Sequence, residues 1–166
     1  LVGLVDTAVM GHLDSPTFLA AVAANATIFS VTLMGLIFLR MGTTGVTAQA
    51  FGSGNHARIT ESLVQPLVIA SFLAAVLLLA QTPIREFALW LLAPAPDTTE
   101  LARHYFNIRI WSAPLVLWNF VIIGWLLGMQ NARGPLVIML AINLTNVALD
   151  FWFVVGLGMT VDGVAL

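Results

Sequence analysis

From residue 18 to residue 39 the chain runs for 22 positions without a charged side chain, and residues 110–129 form a second uncharged run of 20. As helices, at about 1.5 Å per residue, these runs measure roughly 33 and 30 Å, the thickness of a bilayer's hydrocarbon core. Lipid offers no partner to backbone N–H and C=O groups, so a chain crossing it this way must be helical. The expected fold is therefore all-α, a polytopic membrane helix bundle. Composition agrees. Sixty per cent of the 166 residues are hydrophobic and 8% are charged, against about 25% charged in a soluble domain. This excludes a soluble globular domain, a disordered tail and a basic nucleic-acid binder. The six basic residues are all arginine and there is no cysteine. Lysine chemistry, disulfides and thiolate metal sites are excluded with them.

Helices are expected at about residues 1–13, 17–51, 62–80, 99–130 and 135–156, with the start of a sixth from residue 162. The first stretch is too short to span, and reads as the second half of a spanning helix whose first half is missing. The last six residues read as the opening of a helix that is cut off. Ser15-Pro16 is a helix-start signal. Beyond Arg40 the second span turns Gly/Thr-rich, as suits a helix against protein or water, with a break expected at Gly42 or Gly45. Residues 52–58 read as a loop, 84–92 as a short amphipathic stretch, and 93–100 as a loop in which Thr98 or Thr99 caps the next helix. Pro114 is expected to kink the fourth span. Arginines near span ends favour the cytoplasm. Arg58 and Arg133 stand in turns whose counterparts elsewhere are acidic or neutral, so both are placed on the cytoplasmic side.

Two carboxylates, Asp6 and Asp150, sit inside apolar runs. A charge at the bilayer centre costs roughly 2.5–3.5 kcal/mol even on an insertion scale, so such groups face a bundle interior or a water-filled cavity and mark functional sites. Asn143, Asn146 and Asp150 fall within about 60° of one another on a helical wheel. Two amides and a carboxylate on one stripe suit a proton or a small hard cation, and desolvation raises a carboxylate's pKa toward neutrality. Asp6 joins this site if the first and fifth helices pack together. The alternatives are interhelical hydrogen bonding by the asparagines and carboxylates near the outer interface. Asn25, Thr32 and Asn119 are candidates to line a cavity, or else small polar residues packed between helices. Arg40 snorkels at the interface or serves an ion pair or gate. Trp111 and Trp152 suit interface anchors. His12, His56 and His104 show no metal-ligand spacing, and zinc-protease, serine-hydrolase and phosphate-loop motifs are absent. No enzyme is indicated.

The stretches Gly3-Leu4-Val5-Asp6-Thr7-Ala8-Val9-Met10-Gly11-His12-Leu13, residues 39–52 (LRMGTTGVTAQAFG), residues 124–133 (GWLLGMQNAR) and Asn143-x-x-Asn146-x-x-x-Asp150 together resemble the multidrug and toxic compound extrusion (MATE) family, in its DinF-like branch. The resemblance implies a twelve-helix transporter in two six-helix lobes, this chain being a partial N-terminal lobe whose partner is the missing C-terminal lobe. It implies a multi-pass protein of the bacterial inner membrane that exports cationic or amphipathic small molecules in exchange for H⁺ or Na⁺, with no other cofactor. It also implies a coupling-cation site at Asp6, Asn146 and Asp150, with Na⁺ held there if sodium is the ion. Asn143 is added by the helical wheel alone. A lipid-linked sugar flippase of the same superfamily and a non-transporting membrane scaffold are the alternatives.

Overall fold

A computed structural model describes residues 16–92 and 95–150. Seven α-helices run through them: α1 Pro16–Met34, α2 Phe38–Gly52, α3 His56–Leu79, α4 Gln81–Leu92, α5 Pro96–Arg109, α6 Ala113–Gly128 and α7 Arg133–Asp150. Among the described residues there is no strand. Three helical stretches, Ala23–Gly52, His56–Leu79 and Thr98–Gly128, are long and apolar enough to cross a membrane.

The second span is interrupted at Gly35–Ile37, upstream of the expected Gly42 and Gly45. Leu36, Ile37, Leu39 and Arg40 donate to carbonyls three residues back, a tightened turn rather than a true break. Gly42 and Gly45 lie inside α2. There Thr43 and Thr44 return their hydroxyls to the carbonyls of Leu39 (2.6 Å) and Arg40 (2.8 Å), so polar side chains are satisfied without leaving the helix. The fourth span carries its irregularity as a single 3₁₀ turn, Ile110–Ser112. Pro114 has no N–H for the Ile110 carbonyl, and the chain tightens just ahead of it. Neither Thr98 nor Thr99 caps α5 through its side chain. Pro96 opens the helix in its first turn, and the Ala95 carbonyl takes both the Thr98 and Thr99 N–H groups at 3.0 Å.

Two turns share one construction. After α2, Gly54 sits at φ +66°, and the Asn55 and Gly54 N–H groups bond back to Ala50 and Phe51. After α6, Gln130 sits at φ +59°, and Asn131 and Gln130 bond back to Leu126 and Leu127. Both are Schellman closures. In each, the asparagine then accepts the N–H of the residue three positions on: Arg58 (3.1 Å) from Asn55, and Gly134 (3.0 Å) from Asn131. One Asn thus ends one helix and caps the next. This is why the third span starts at His56, six residues earlier than expected.

The chain divides into two compact units. One comprises Thr32–Leu79 and Ser112–Met139. Its core is Leu39, Ala70, Ala74, Leu117 and Val121, with Leu33, Leu36, Leu63, Leu67, Leu73, Leu77 and Phe120 packed around them. Here α2 and α6 run parallel at very close range. A Cβ on Gly124 would meet the Arg40 carbonyl oxygen at 2.5 Å, and one on Gly128 would meet the Thr47 Cβ at 2.6 Å and the Thr44 carbonyl at 2.8 Å. Only glycine fits such a seam. Because the pair is parallel, the Arg58 and Arg133 turns leave the same end of this unit. Indole N–H groups tie α6 to α3, from Trp118 to the Ser71 hydroxyl and from Trp125 to the Ile59 carbonyl, both at 3.0 Å.

The described part of the other unit comprises residues 16–31, 80–92, 95–111 and 140–150. Its α1 and α5 are also parallel: Asn25 meets Ala102, and one turn on Phe29 meets Phe106 with ring centroids 5.4 Å apart.

Candidate functional site

The α7 helix is unbroken from Arg133 to Asp150. That places Asn143, Asn146 and Asp150 on one helix face, as 100° steps require. Asn143 and Asn146 are half-buried, and Asn143 has an interaction partner in the fold. Asp6 and the side chain of Asp150 lie outside the described residues, as does Trp152. The stripe can present two amides and a carboxylate to a hard cation, whose ligands are oxygens. Among the described residues no three His, Asp or Glu side chains converge.

The same unit holds a polar cluster that the sequence reading did not single out. Asn25 is fully buried, and its amide donates to the Ala102 carbonyl at 3.0 Å. This is the helix-packing alternative for Asn25. Tyr105 and Phe106 are buried beside it. Arg109, in the last turn of α5 where the helix dipole favours a cation, lies over the rings of Phe29 (5.6 Å) and Tyr105 (5.7 Å). It donates to the Tyr105 hydroxyl at 2.9 Å. Ala102, Tyr105, Phe106 and Arg109 follow the i, i+3, i+4, i+7 spacing of a buried helix face. That spacing is present in the sequence.

A second network joins α4 to α5. Glu86 receives Arg85 at 3.0 Å and Arg103 at 2.7 Å. Arg103 also approaches Glu100 at 3.5 Å, and Arg85 bonds the Asn107 side chain. The Arg85 hydrogen bond, helped by the charges of Arg103 and Arg85 and opposed by desolvation, holds the Glu86 carboxyl below its ordinary range.

In the unit of Thr32–Leu79 and Ser112–Met139, Thr32, Arg40 and Asn119 are all half-buried, and Thr32 has an interaction partner. Trp111, in the other unit, is exposed, as an interface anchor would be. A cavity of about 180 Å³ is lined by Val46, Gln49, Ala50, Arg58, Glu61, Ser62 and Gln65. Neither Thr32 nor Asn119 is among its lining residues. Ser62, one of the lining residues, accepts a buried hydrogen bond from Thr47 at 3.0 Å.

Comparison with known proteins decides the family. The MatE family model matches residues 1–152. The chain belongs to the MatE family. Members of that family are transporters and not enzymes, and this MatE chain is an integral membrane protein. It is 49% identical over its whole length to the DNA damage-inducible protein F of Escherichia coli (strain K12), covering 36% of that protein. It is 29% identical over 152 residues, 92% of its length, to a probable multidrug resistance protein NorM of Bradyrhizobium diazoefficiens, covering 32% of it. With the multidrug resistance protein MdtK of Proteus mirabilis it shares 25% identity over 154 residues, 93% of the chain and 34% of that protein. The MatE chain thus spans about a third of the length of the curated relatives it matches. No solved structure matches it.

Proposed function

We propose that this chain is the N-terminal part of a cation-coupled antiporter that exports cationic or amphipathic organic compounds across the bacterial inner membrane by alternating access. Membership in a family of transporters supports the reading, as do relatives named for multidrug resistance. The observation that carries the coupling site is the stripe of Asn143, Asn146 and Asp150 on one face of an unbroken apolar helix. Asp6, in the stretch Gly3–Leu13, is the second carboxylate of the proposed site. The Arg58 and Arg133 turns face the cytoplasm, with the arginine excess expected there.

In the outward-facing state Asp6 and Asp150 take up H⁺ or Na⁺ from outside. Uptake neutralises carboxylates that are costly to hold charged in an apolar surround. That favours approach of the Asp6 segment to α7 and release of the substrate. In the inward-facing state the cation leaves to the cytoplasm, the carboxylates regain their charge, and a cationic substrate binds. Coupling follows because cation and substrate prefer different states of one equilibrium.

The test is gradient-driven efflux from proteoliposomes carrying the full-length protein as wild type, Asp6→Asn or Asp150→Asn. Each substitution is expected to reduce coupled export at least tenfold while leaving the protein folded. Undiminished export by both variants would overturn the reading. Imposing ΔpH and a sodium gradient separately identifies the ion.

A further inference from the structure

The α4 helix is amphipathic in the inverted sense. On a helical wheel, buried Leu89 shares its side with Arg85 and Glu86, whose charges are tied to Arg103 and Asn107 of α5. Phe87 and Leu91 lie across the helix from Leu89, and Trp90 borders them one turn on from Glu86; Phe87, Trp90 and Leu91 are 64%, 74% and 67% exposed. Phe87 and Trp90 lean together with centroids 6.0 Å apart. In water this arrangement is unfavourable: it exposes three large apolar side chains, while the side chains of Arg85 and Glu86, 17% and 42% exposed, are tied to α5. Against lipid it is the favourable one.

Length and position select which part of the bilayer is met. Twelve residues make about 18 Å of helix, too short to span. Only Ala80 separates α4 from α3, a helix long and apolar enough to cross the membrane. Its first residue therefore emerges where a span has just ended, at the level of the acyl–headgroup boundary. Trp and Phe are the side chains suited to that level.

We propose that the outer face of α4 is a lipid-docking surface, with Phe87, Trp90 and Leu91 seated in the acyl–headgroup boundary while Arg85 and Glu86 lock the helix to α5. The charged lock then works beside a low-dielectric medium, where an ion pair with satisfied hydrogen bonds is stronger than in water. Seating in lipid and holding α5 become two sides of one short helix.

The test uses the full-length protein with no other cysteine, reconstituted in phosphatidylcholine vesicles. Single cysteines placed by Phe87→Cys, Trp90→Cys or Leu91→Cys carry a bimane fluorophore. His56→Cys, at the exposed start of α3, serves as the aqueous reference. Phosphatidylcholine with dibrominated acyl chains is expected to quench the three α4 labels at least twofold, while iodide in the buffer quenches only the reference. Quenching of α4 by iodide and not by brominated lipid would mean that the face meets water. Quenching by neither would mean that another part of the protein or a second copy covers it. Either result overturns the proposal. Three separate positions guard against one variant failing to fold.

Discussion

The second and fourth spans pair in parallel twice, and the two pairings use opposite chemistry. Between α2 and α6 the contact is a seam of small residues: Gly124 and Gly128 let the Arg40 and Thr44 carbonyls and the Thr47 Cβ come within reach of a missing methyl. Its close contacts are backbone carbonyls and threonine carbons, and every threonine hydroxyl named is satisfied locally or by Ser62. Between α1 and α5 the contact is a clasp of polar and aromatic groups: an amide on a carbonyl, two rings tilted against each other, and an arginine over two rings. A seam of backbone against backbone tolerates no added volume. A clasp of side chains loses one interaction at a time. The unit that holds the Asn143–Asn146–Asp150 stripe is the one held by the clasp, so the more adjustable packing accompanies the candidate coupling residues.

The sharpest way to break this contrast is to add one methyl to the seam. Gly124→Ala or Gly128→Ala in the full-length protein should each destabilise it by about 1–3 kcal/mol, as overpacking does, read as a lower thermal midpoint in detergent. Gly134→Ala is the comparison: its new methyl would meet the flexible end of Leu126 rather than backbone, and its effect should be clearly smaller. Equal effects would dissolve the distinction.

The clasp should respond in smaller steps. Arg109→Gln removes a cation held over two rings, worth roughly 0.5–2 kcal/mol. Arg109→Lys should recover only part, since the flat guanidinium is lost. Asn25→Ala removes an interhelical hydrogen bond, with an expected loss of about 0.6 kcal/mol. Thermal midpoints in detergent order these. A Gly128-sized loss at Asn25 would show the clasp to be as rigid as the seam.

Much of this was legible in one dimension. Uncharged runs of span length indicated the helices. The pairing of Gly124 and Gly128 with Thr43 and Thr47 was not legible, because it joins residues about 81 positions apart and no local pattern names a partner. Gly42 and Gly45 suggest a break because glycine lowers helix propensity, but the threonines beside them satisfy their own hydroxyls within the helix, and the tightened turn lies at Gly35–Ile37 instead. Asn55 looked like a loop residue because asparagine serves turns and caps alike, and only its acceptance of the Arg58 N–H tells which. Of the candidate coupling site, the shared face of Asn143, Asn146 and Asp150 follows from helical periodicity and the continuity of α7. Asp6 lies outside the described residues.

The smallest effect is a pH dependence in the lock between α4 and α5. The Glu86 carboxyl lies below the ordinary 4.5 when folded, so its contribution is present above that value and is lost as pH falls through the folded one. Glu86→Gln should therefore lower the thermal midpoint slightly at pH 7, with the gap to wild type closing as the pH falls below about 4.5. A gap that persists unchanged at pH 3 would remove the charge from the explanation.

The most direct measurement of the central claim is cation release on substrate binding. Addition of an organic-cation substrate to the purified full-length protein, followed with a pH indicator in weak buffer and with a sodium electrode, should displace H⁺ or Na⁺ from the wild type. The Asp6→Asn/Asp150→Asn double variant should displace neither. Release of the same quantity from wild type and double variant would contradict the account, because the coupling ion would then reside elsewhere.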